Sequence, residues 1–320
     1  MSNCLRESKL QHAREKLGRL VSGNDYNHLF APLRLIECQD DSSAKFQWTL
    51  EKWQMNGIGI LHGGYITSVV GFVTSTGLYL ADCEDYAGAE INVSFLRPAK
   101  EGDIVTIETC VVSRGSNIAF TRATLMHNSG EIIATATNML TKVDSYSTQS
   151  TFHNLFKQDT FIKNMLPLDY AQNRFTECVP KWGFSTFLLS GRHLQWCTSD
   201  GNLEMQWTVD GTQLDQFKHL DIGYIAAIFD FATGMGPYIV TDNSPGYASV
   251  DLSLSYYRPC FEGEVITVET KVLKRGQTLV FVEASFVNAD GKLIAMGKQT
   301  MLKVNVTKFA KPKSMLSSKM

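Results

Sequence analysis

The longest hydrophobic stretch in the chain runs from position 65 to position 80. It follows the sequence L-H-G-G at 61–64, and its apolar residues cover nearly every face of a helix, which is typical of a buried helix. A different pattern occurs further on, where Val250, Leu252 and Leu254 alternate with polar residues, as in a strand with one buried face. We therefore predict a central helix over 63–80 and strands that pack on such helices.

The chain is a tandem repeat. The sequence F-Q-W-T-L around Trp48 recurs as M-Q-W-T-V around Trp207, 159 positions later. Two further pairs, R-P at 97–98 and R-G at 114–115, recur 161 positions later. The change of two positions falls just after the central helix, where a loop can absorb it. A fixed period of this kind predicts two copies of one structural unit.

Each copy is predicted to contain the same elements in the same order. Two short strands come first, followed by the apolar helix, which we place at 63–80 in the first copy and at 222–233 in the second. Further strands follow, and in the second copy they include 264–273, 278–286 and 293–304. A helix that is apolar all round must be wrapped by a sheet to stay dry. The predicted fold class is therefore α+β, with an antiparallel sheet wrapped around a long central helix in each unit.

The repeat divides the chain into five segments. These are an N-terminal helical segment at 1–27, a first unit at 28–145, a linker and a leading helix at 146–179, a second unit at 180–306, and a polar tail at 307–320. The N-terminal helix is amphipathic and is expected to dock on the protein. In the linker, the helical pattern is expected before Pro167 and includes Met165.

Composition and charge exclude several classes of function. The 320-residue chain has a formal net charge of -2, a pI near 6.4 and scattered Lys and Arg residues, so nucleic acid is not an expected partner. No apolar run reaches the roughly 18 residues that a membrane-spanning helix needs. The seven cysteines include no C-x-x-C pair, which favours reduced thiols over a disulfide framework or a zinc site. We expect a soluble intracellular protein without a metal centre.

Two residues of the predicted helices indicate chemistry. The first N–H groups of a helix have no partner within it, and glycine leaves them uncovered, so the helix start at Gly63 is a candidate oxyanion hole. In the second central helix, Asp230 stands among apolar residues, where a carboxylate is costly unless it is paired. We therefore expect Gly63 and Asp230 to belong to a functional site.

The H-G-G helix start at 62–64, together with a strand that ends in R-P and a following E-G turn, resembles the hotdog-fold acyl-CoA thioesterases of the PaaI and thioesterase-superfamily-member type. The resemblance covers about residues 28–145 and 180–305, which implies two fused hotdog domains. In that family, two hotdog units pair and the thioester lies at their interface. The implied activity is hydrolysis of fatty acyl-CoA to a free acid and CoA, with no cofactor apart from the CoA of the substrate.

The resemblance implies one complete site that is shared by the two copies. The first copy matches the family's asparagine, histidine and glycine, and the second copy matches its aspartate and serine. These catalytic candidates are Asn56, His62, Gly63, Asp230 and Ser249.

The reciprocal site lacks the same groups. Gly71 and Gly88 stand at the aspartate and serine positions of the first copy, while Asp221 replaces the histidine of the second copy and Asp215 its asparagine. With neither a base nor a suitable donor, this second site is predicted to be inactive.

Helix geometry also requires a shared site. A carboxylate nine positions beyond His62 on the same helix would lie about 13.5 Å from it, too far for both to reach one carbonyl carbon. If the two central helices lie side by side and antiparallel, the Gly63 end of one meets the middle of the other and brings Asp230 to it.

In the implied mechanism, the Gly63 N–H polarises the thioester carbonyl. Asp230 either activates water or attacks the carbonyl directly, and both routes stay open. Asn56 and Ser249 would position the water, and His62 would orient the helix start or the thioester. By resemblance, two hairpin turns are candidates for binding the phosphates of CoA: Lys274, Arg275 and Gly276 in one, and Arg114 and Gly115 in the other.

Two alternatives remain. A hydroxyacyl-CoA dehydratase or enoyl-CoA hydratase on the same fold also combines a histidine and a carboxylate across units, although the proline-rich loop around its histidine is absent here. A non-catalytic acyl-CoA-binding protein is suggested by the losses at Gly71, Gly88 and Asp221.

The last three residues are Ser318, Lys319 and Met320. They keep the small, basic and bulky apolar order of the C-terminal S-K-L signal that the peroxisomal import receptor binds. We therefore expect the protein in the peroxisome or a related microbody, and otherwise in the cytoplasm. Fused hotdog pairs often associate further, so a homo-oligomer is compatible with the resemblance.

Overall fold

The computed structural model describes residues 3–39, 43–80, 86–142, 165–178, 183–189, 191–241 and 246–304. The tail at 307–320 with its terminal tripeptide, and the linker positions 146–164, lie outside the described residues. None of the described helices combines the length and hydropathy that crossing a membrane requires.

The two halves of the chain contain the same succession of elements. The first half consists of α1 (Asn3–Val21), a 3-10 helix (Tyr26–Phe30), β1 (Arg34–Cys38), β2 (Ala44–Thr49), α2 (Gly63–Leu80), β3 (Tyr86–Phe95), β4 (Ile104–Arg114), β5 (Ile118–His127) and β6 (Ile132–Lys142). The second half consists of α3 (Leu168–Cys178), α4 (Phe184–Leu189), β7 (His193–Cys197), β8 (Leu203–Thr208), α5 (Ile222–Ile239), β9 (Gly246–Tyr256), β10 (Val265–Arg275), β11 (Leu279–Asn288) and β12 (Leu293–Val304). A short 3-10 turn also precedes each central helix.

The twelve strands of the described residues form one antiparallel sheet. Its order is β1-β2-β4-β5-β6-β3-β9-β12-β11-β10-β8-β7, so each half has the same order from its outer edge to the centre. The halves join where β3 pairs with β9, and there Ile91 lies opposite Leu254 and Val93 opposite Leu252. All four side chains are buried. The predicted α+β fold of two units, each with a sheet around a central helix, is confirmed.

The two central helices, α2 and α5, pack side by side and run antiparallel. A Cβ on Gly64 would lie 2.9 Å from the Cα of Ala227, and one on Gly223 would lie 3.1 Å from the Cα of Ser68. The Ser68 hydroxyl also donates a hydrogen bond to the Gly223 carbonyl at 2.7 Å. Because later positions of α2 meet earlier positions of α5, the start of α2 faces the middle of α5. Glycine at both crossings permits this close approach of the backbones.

The repeat extends to the helices that precede the strands of each half. The sequence pattern did not reveal this part of the repeat. Tyr26, in the 3-10 helix of the first half, packs edge to face on Tyr224 of the second half at 5.3 Å between ring centres. Phe184, in α4 of the second half, packs in the same way on Tyr65 of the first half at 5.2 Å. Each half therefore covers the central helix of the other.

Two predicted helix positions are wrong. Helix α5 does not end at position 233 but continues to Ile239, through Pro237. A Cβ on Gly236 would lie 1.9 Å from the Gly201 carbonyl oxygen, so glycine at this position of the helix permits close packing of a loop on it. Met165 forms a β-bridge with Thr198 instead of lying in a helix, and α3 begins after Pro167, because proline disfavours the helical conformation in the residue before it.

Candidate active site

The candidate active site lies where the start of α2 meets the middle of α5. Oδ2 of Asp230 accepts a hydrogen bond from the N–H of Gly64 at 2.7 Å, across the boundary between the two halves. Ser249, on β9, donates to Oδ1 of Asp230 at 2.6 Å. The Nδ1 atom of His62 lies 3.1 Å from Oδ2. The structure therefore brings the helix start and His62 of the first half together with Asp230 and Ser249 of the second.

The Asp230 carboxylate is almost fully enclosed and held by four donors. Its residue exposure is 7%, and Gln299 on β12 adds a further hydrogen bond to Oδ1 at 2.6 Å. Oδ1 thus faces Ser249 and Gln299, and Oδ2 faces Gly64 and His62. Two contacts on each oxygen use the full acceptor capacity of an ionised carboxylate. The orientation of the Asp230 side chain is therefore fixed from both halves of the chain.

Two opposing effects set the pKa of Asp230. Burial raises it, because a charge is costly away from water, but hydrogen bonding and the charge of His62, together with hydrogen bonds from Ser249 and Gln299, outweigh burial. The net result is a pKa below the usual value for aspartate. Asp230 is therefore ionised at neutral pH, as either a base or a nucleophile must be.

His62 connects the helix start to the carboxylate. Its Nδ1 atom lies 3.0 Å from the Gly64 nitrogen and 3.1 Å from Oδ2 of Asp230. A bare nitrogen would repel the carboxylate, so we assign the proton to Nδ1, which then donates to Asp230 and leaves the Gly64 N–H to Oδ2 alone. The imidazole ring packs edge to face on Phe184, with 5.4 Å between ring centres. A helix of the second half thus fixes the ring plane of His62.

Gly63 is the first residue of α2, and its lack of a side chain is required. A Cβ at this position would lie 2.8 Å from Oγ of Ser249 and 2.9 Å from Oδ1 of Asp230. Among the residues that the structure describes, the Gly63 N–H has no hydrogen-bond partner. An unused helix-start donor therefore lies beside an ionised carboxylate, which is the combination that acyl transfer needs.

Asn56 does not contact the carboxylate in the structure. Its Oδ1 accepts hydrogen bonds from the N–H groups of Ile58 and Ile60, at 3.1 and 3.3 Å, which closes the turn that precedes α2. Asp215 closes the corresponding turn before α5, with two backbone N–H groups at 2.8 and 2.9 Å. The observed contacts give Asn56 a structural part in this turn, and its part in positioning water stays a prediction.

Gln299 was missed by sequence reasoning, although it contacts both acidic and hydroxyl groups of the site. Its Nε2 donates to Asp230 at 2.6 Å and to Oγ of Ser249 at 2.9 Å, and its Oε1 accepts from the hydroxyl of Thr233. A signal was present, because Gln299 interrupts the inward-facing apolar positions of β12. At the corresponding position of β6, Asn138 is buried as well. Polar residues repeated at a buried strand position indicate a partner inside the fold.

The residues predicted to bind phosphate lie at the tips of two hairpins. Backbone hydrogen bonds of 2.8 Å from Gly115 and Gly276 close the two turns. Arg275, which follows Lys274 at the end of β10, aligns with Ser249 across the intervening strands β11 and β12. Three strand spacings place its backbone about 14 Å from Ser249. By the same register, Arg114 aligns with Gly88 of the reciprocal site.

The reciprocal site, at the start of α5, has a different construction. Asp221 is the N-cap of α5 and accepts hydrogen bonds from the N–H groups of Gly223 and Tyr224, at 2.7 and 3.1 Å. Ile222 stands at the position of Gly63, and its Cδ1 lies 2.1 Å from where a Cβ on Gly88 would be. The side chain of Ile222 therefore occupies the space that Ser249 fills in the first site.

Comparisons with known proteins concern the family and the fold of the chain. The family model described as the thioesterase superfamily matches residues 58–134 and 218–295. Acyl-coenzyme A thioesterase 13 of Homo sapiens is 38% identical over 101 residues, which cover 31% of this chain and 71% of that protein. The mouse protein of the same name is 35% identical over 79 residues, covering 24% of this chain and 56% of that protein.

Two solved structures share the whole architecture at low sequence identity. The tesB protein MAP1729c of Mycobacterium avium subs paratuberculosis has a TM-score of 0.62 at 14% identity, and the match covers 88% of this chain and all of that one, 100%. An acyl-CoA thioesterase II, TesB2, of Mycobacterium marinum has a TM-score of 0.55 at 12% identity, covering 90% of this chain and 98% of that one. At these identities the likeness concerns the fold.

Proposed function

This chain belongs to the thioesterase superfamily, and we propose on that premise that it hydrolyses acyl-CoA to a free acid and CoA at one composite site per chain. The observation that carries the proposal is the position of the Asp230 carboxylate, which is 2.7 Å from the Gly64 nitrogen at the start of the other half's central helix. Neither half supplies both groups, so a single site forms only between them.

The thioester carbonyl would bind at the start of α2. The N–H of Gly63 has no partner among the described residues, and it points from a helix N-terminus, where partial positive charge accumulates. A negative charge that develops on the carbonyl oxygen would be stabilised there. Loss of one such donor in other enzymes lowers the rate by about 100- to 1000-fold.

The contacts of Asp230 favour activation of water over direct attack. All four of its acceptor positions are occupied, and the hydroxyl of Ser249 can rotate away without moving the backbone or a ring, whereas the amide of Gln299 is also held by Thr233. A water molecule could then enter between Oδ1 of Asp230 and Oγ of Ser249, give its proton to the carboxylate and attack the carbonyl carbon. Collapse of the adduct would break the carbon–sulfur bond and release CoA as the thiolate, which takes up a proton. Direct attack by Asp230 would require it to leave these donors.

The CoA portion would extend from the helix start toward the hairpin that carries Arg275. This turn lies about 14 Å along the sheet from Ser249, a separation that the extended pantetheine arm of CoA can span. Lys274 and Arg275 would provide cationic partners for the phosphates. The equivalent turn at Arg114 lies on the side of the reciprocal site.

A thiol-release assay on a panel of acyl-CoA chain lengths tests the proposal. The wild type should release free thiol, and Asp230→Asn should lower kcat by about 100- to 10,000-fold, the range for loss of a general base. Asp221→Asn is the matched control, because it removes a half-buried carboxylate from the reciprocal site and keeps a good N-cap. Equal losses in the two variants would contradict the assignment of a single working site.

The same assay separates the alternatives. A hydratase would consume the double bond of an enoyl-CoA without releasing thiol, and a binding protein would retain acyl-CoA without turnover. Thiol release that is unaffected by Asp230→Asn would reject the proposed site even if the protein is a hydrolase.

A further inference from the structure

The reciprocal site is an open pocket, although its residues differ from those of the candidate active site at every corresponding position. The pocket lies between α2, β3 and the start of α5, and its lining includes Gly71, Gly88, Asp215, Asp221 and Ile222. By the repeat, these residues correspond to Asp230, Ser249, Asn56, His62 and Gly63 of the candidate active site. A pocket that had only lost its function would be free to fill with side chains, yet this one is still open.

The pocket cannot bind a thioester in the way proposed for the first site. The Asp221 carboxylate accepts hydrogen bonds from the N–H groups of Gly223 and Tyr224, so two N–H groups at this helix start are already occupied. The side chain of Ile222 covers Gly88, with only 2.1 Å between its Cδ1 and the position of a Cβ there. A ligand of this pocket must therefore be recognised by other groups.

The polar groups that remain around the pocket include oxygen atoms without partners. The hydroxyl of Tyr86, which lines the pocket, is buried and has no hydrogen-bond partner, and the same holds for Oδ1 of Asn138, which lies 3.5 Å from the Cβ position of Gly88. Oδ2 of Asp221 and Oδ2 of Asp215 accept no hydrogen bond from the described residues, because both side chains use Oδ1 for their backbone partners. The oxygens of Tyr86 and Asn138 are buried, and buried polar atoms are normally satisfied, so these two atoms indicate an absent donor beside the two free carboxylate oxygens.

The charged residues that line the pocket are acidic, which also favours a ligand that donates hydrogen bonds. None of the described residues that line it is Lys, Arg or His, whereas Asp215 and Asp221 both line it. Burial, and then the neighbouring Asp215, raise the pKa of Asp221. The nearest basic groups lie outside the lining. Burial raises the pKa of Asp215, and the charge of His219, which packs on Phe261, lowers it; Arg114 lies 5.9 Å from the centre of the Tyr86 ring. Two neighbouring half-buried carboxyl groups repel each other when both are ionised, and a bound cation would stabilise them.

We propose that this second pocket binds a small organic cation, namely a primary ammonium group on an apolar body. An ammonium group has three N–H donors and no acceptor, which matches unpartnered carboxylate, amide and phenol oxygens. The apolar body would lie on the remaining wall, which includes Leu20, Phe72, Phe217 and Ile222. A carboxylate of the same shape would be disfavoured, because it would be repelled by Asp215 and Asp221. This inference goes beyond the proposed hydrolase function and does not depend on it.

Titration calorimetry on the full chain tests the proposal with three probes of one length: hexylammonium, hexanol and hexanoate. Hexylammonium should bind once per chain with a dissociation constant below about 1 mM. Hexanol should bind at least about tenfold more weakly, since it lacks the charge, and hexanoate should not bind. No binding of hexylammonium, or equal binding of hexanoate, would overturn the proposal.

Two variants locate the binding site, and one serves as a control. Asp221→Asn removes the charge but keeps an N-cap of equal quality. Gly71→Met fills the pocket, because a Cβ at Gly71 meets nothing within 4 Å. Each should weaken hexylammonium binding at least about tenfold, whereas Ser249→Ala, at the corresponding position of the other pocket, should leave it unchanged. Thermal unfolding checks that each variant folds, and unaltered binding in folded Gly71→Met would reject this location.

Discussion

Replacing Gly63 with alanine would place a methyl group against the two groups that the proposed reaction requires. The new Cβ would lie 2.8 Å from Oγ of Ser249 and 2.9 Å from Oδ1 of Asp230. Ordinary contacts of a Cβ begin at 3.4 Å, so the two oxygens must retreat by about 0.6 Å (3.4 − 2.8) and 0.5 Å (3.4 − 2.9). Neither can do so freely, because Gln299 holds both of them, at 2.9 and 2.6 Å.

The expected cost of Gly63→Ala is therefore catalytic and not structural. A misplacement approaching 1 Å in a catalytic constellation costs about 100-fold in rate, and we expect kcat to fall by about that factor. Alanine favours the helix by up to about 1 kcal/mol relative to glycine, which offsets part of the local crowding. The thermal midpoint should accordingly change little while turnover is lost.

Gly71→Ala is the matched control for this experiment. Gly71 lies on the same helix, and a Cβ there meets nothing within 4 Å. It should keep wild-type turnover and unfold at the same or a higher temperature, because alanine replaces glycine in a helix interior. Both variants are compared with the wild type by thiol release under saturating acyl-CoA. If Gly63→Ala hydrolyses acyl-CoA as fast as Gly71→Ala, the steric reasoning about the helix start is refuted.

Three other predictions concern the pH profile, stability and location. The pKa of Asp230 lies below the usual 3.8, so the stability that its ionised form contributes is present above that value and is lost as the pH falls through the lowered pKa. Gln299→Ala removes one hydrogen-bond donor to Asp230, so the acid limb of the kcat/KM profile should move to higher pH. An unmoved limb would argue against that hydrogen bond. Gly64→Ala should destabilise the protein by about 1–3 kcal/mol in denaturant unfolding, because its Cβ would lie 2.9 Å from the Cα of Ala227, and an unchanged midpoint would contradict the close helix packing. Deleting the last three residues, 318–320, should move a fluorescent fusion from peroxisomes to the cytosol, and peroxisomal retention would reject the proposed address.

Much of the fold could be predicted because the chain contains it twice. Each central helix is apolar on all sides, and the alternation on the following strands shows one buried face, so the wrapping of a helix by a sheet follows from solvent exclusion alone. The meeting of Asp230 with the start of α2 could also be anticipated, because the resemblance gives the aspartate position and helix length places it too far from its own helix start. Neither argument needs a contact between specific side chains.

The features that sequence reasoning missed depend on such contacts. Gln299 reads as an ordinary polar residue of a strand, and its importance appears only when the register of β12 brings it against Asp230. Asn56 has the residue type for catalysis, but its observed hydrogen bonds are to its own turn. Helix α5 contains glycine and proline near its end, which disfavour a helix locally, yet it continues to Ile239 and Gly236 packs closely on a neighbouring loop.

The two pockets are also sterically incompatible with each other's residues, which argues that their difference is stable. Ser249 lies beside Gly63, and in the other pocket Gly88 lies beside Ile222, so each large side chain faces a glycine. A serine at position 88 alone would clash with Ile222, because its Cβ would lie only 2.1 Å from Cδ1 of Ile222. Changing Ile222 to glycine alone would leave a cavity where its methyl groups were. Restoring the second site therefore needs paired substitutions before any catalytic group is added, and each single step is unfavourable, so an ancestral pair of equal sites would not easily re-form.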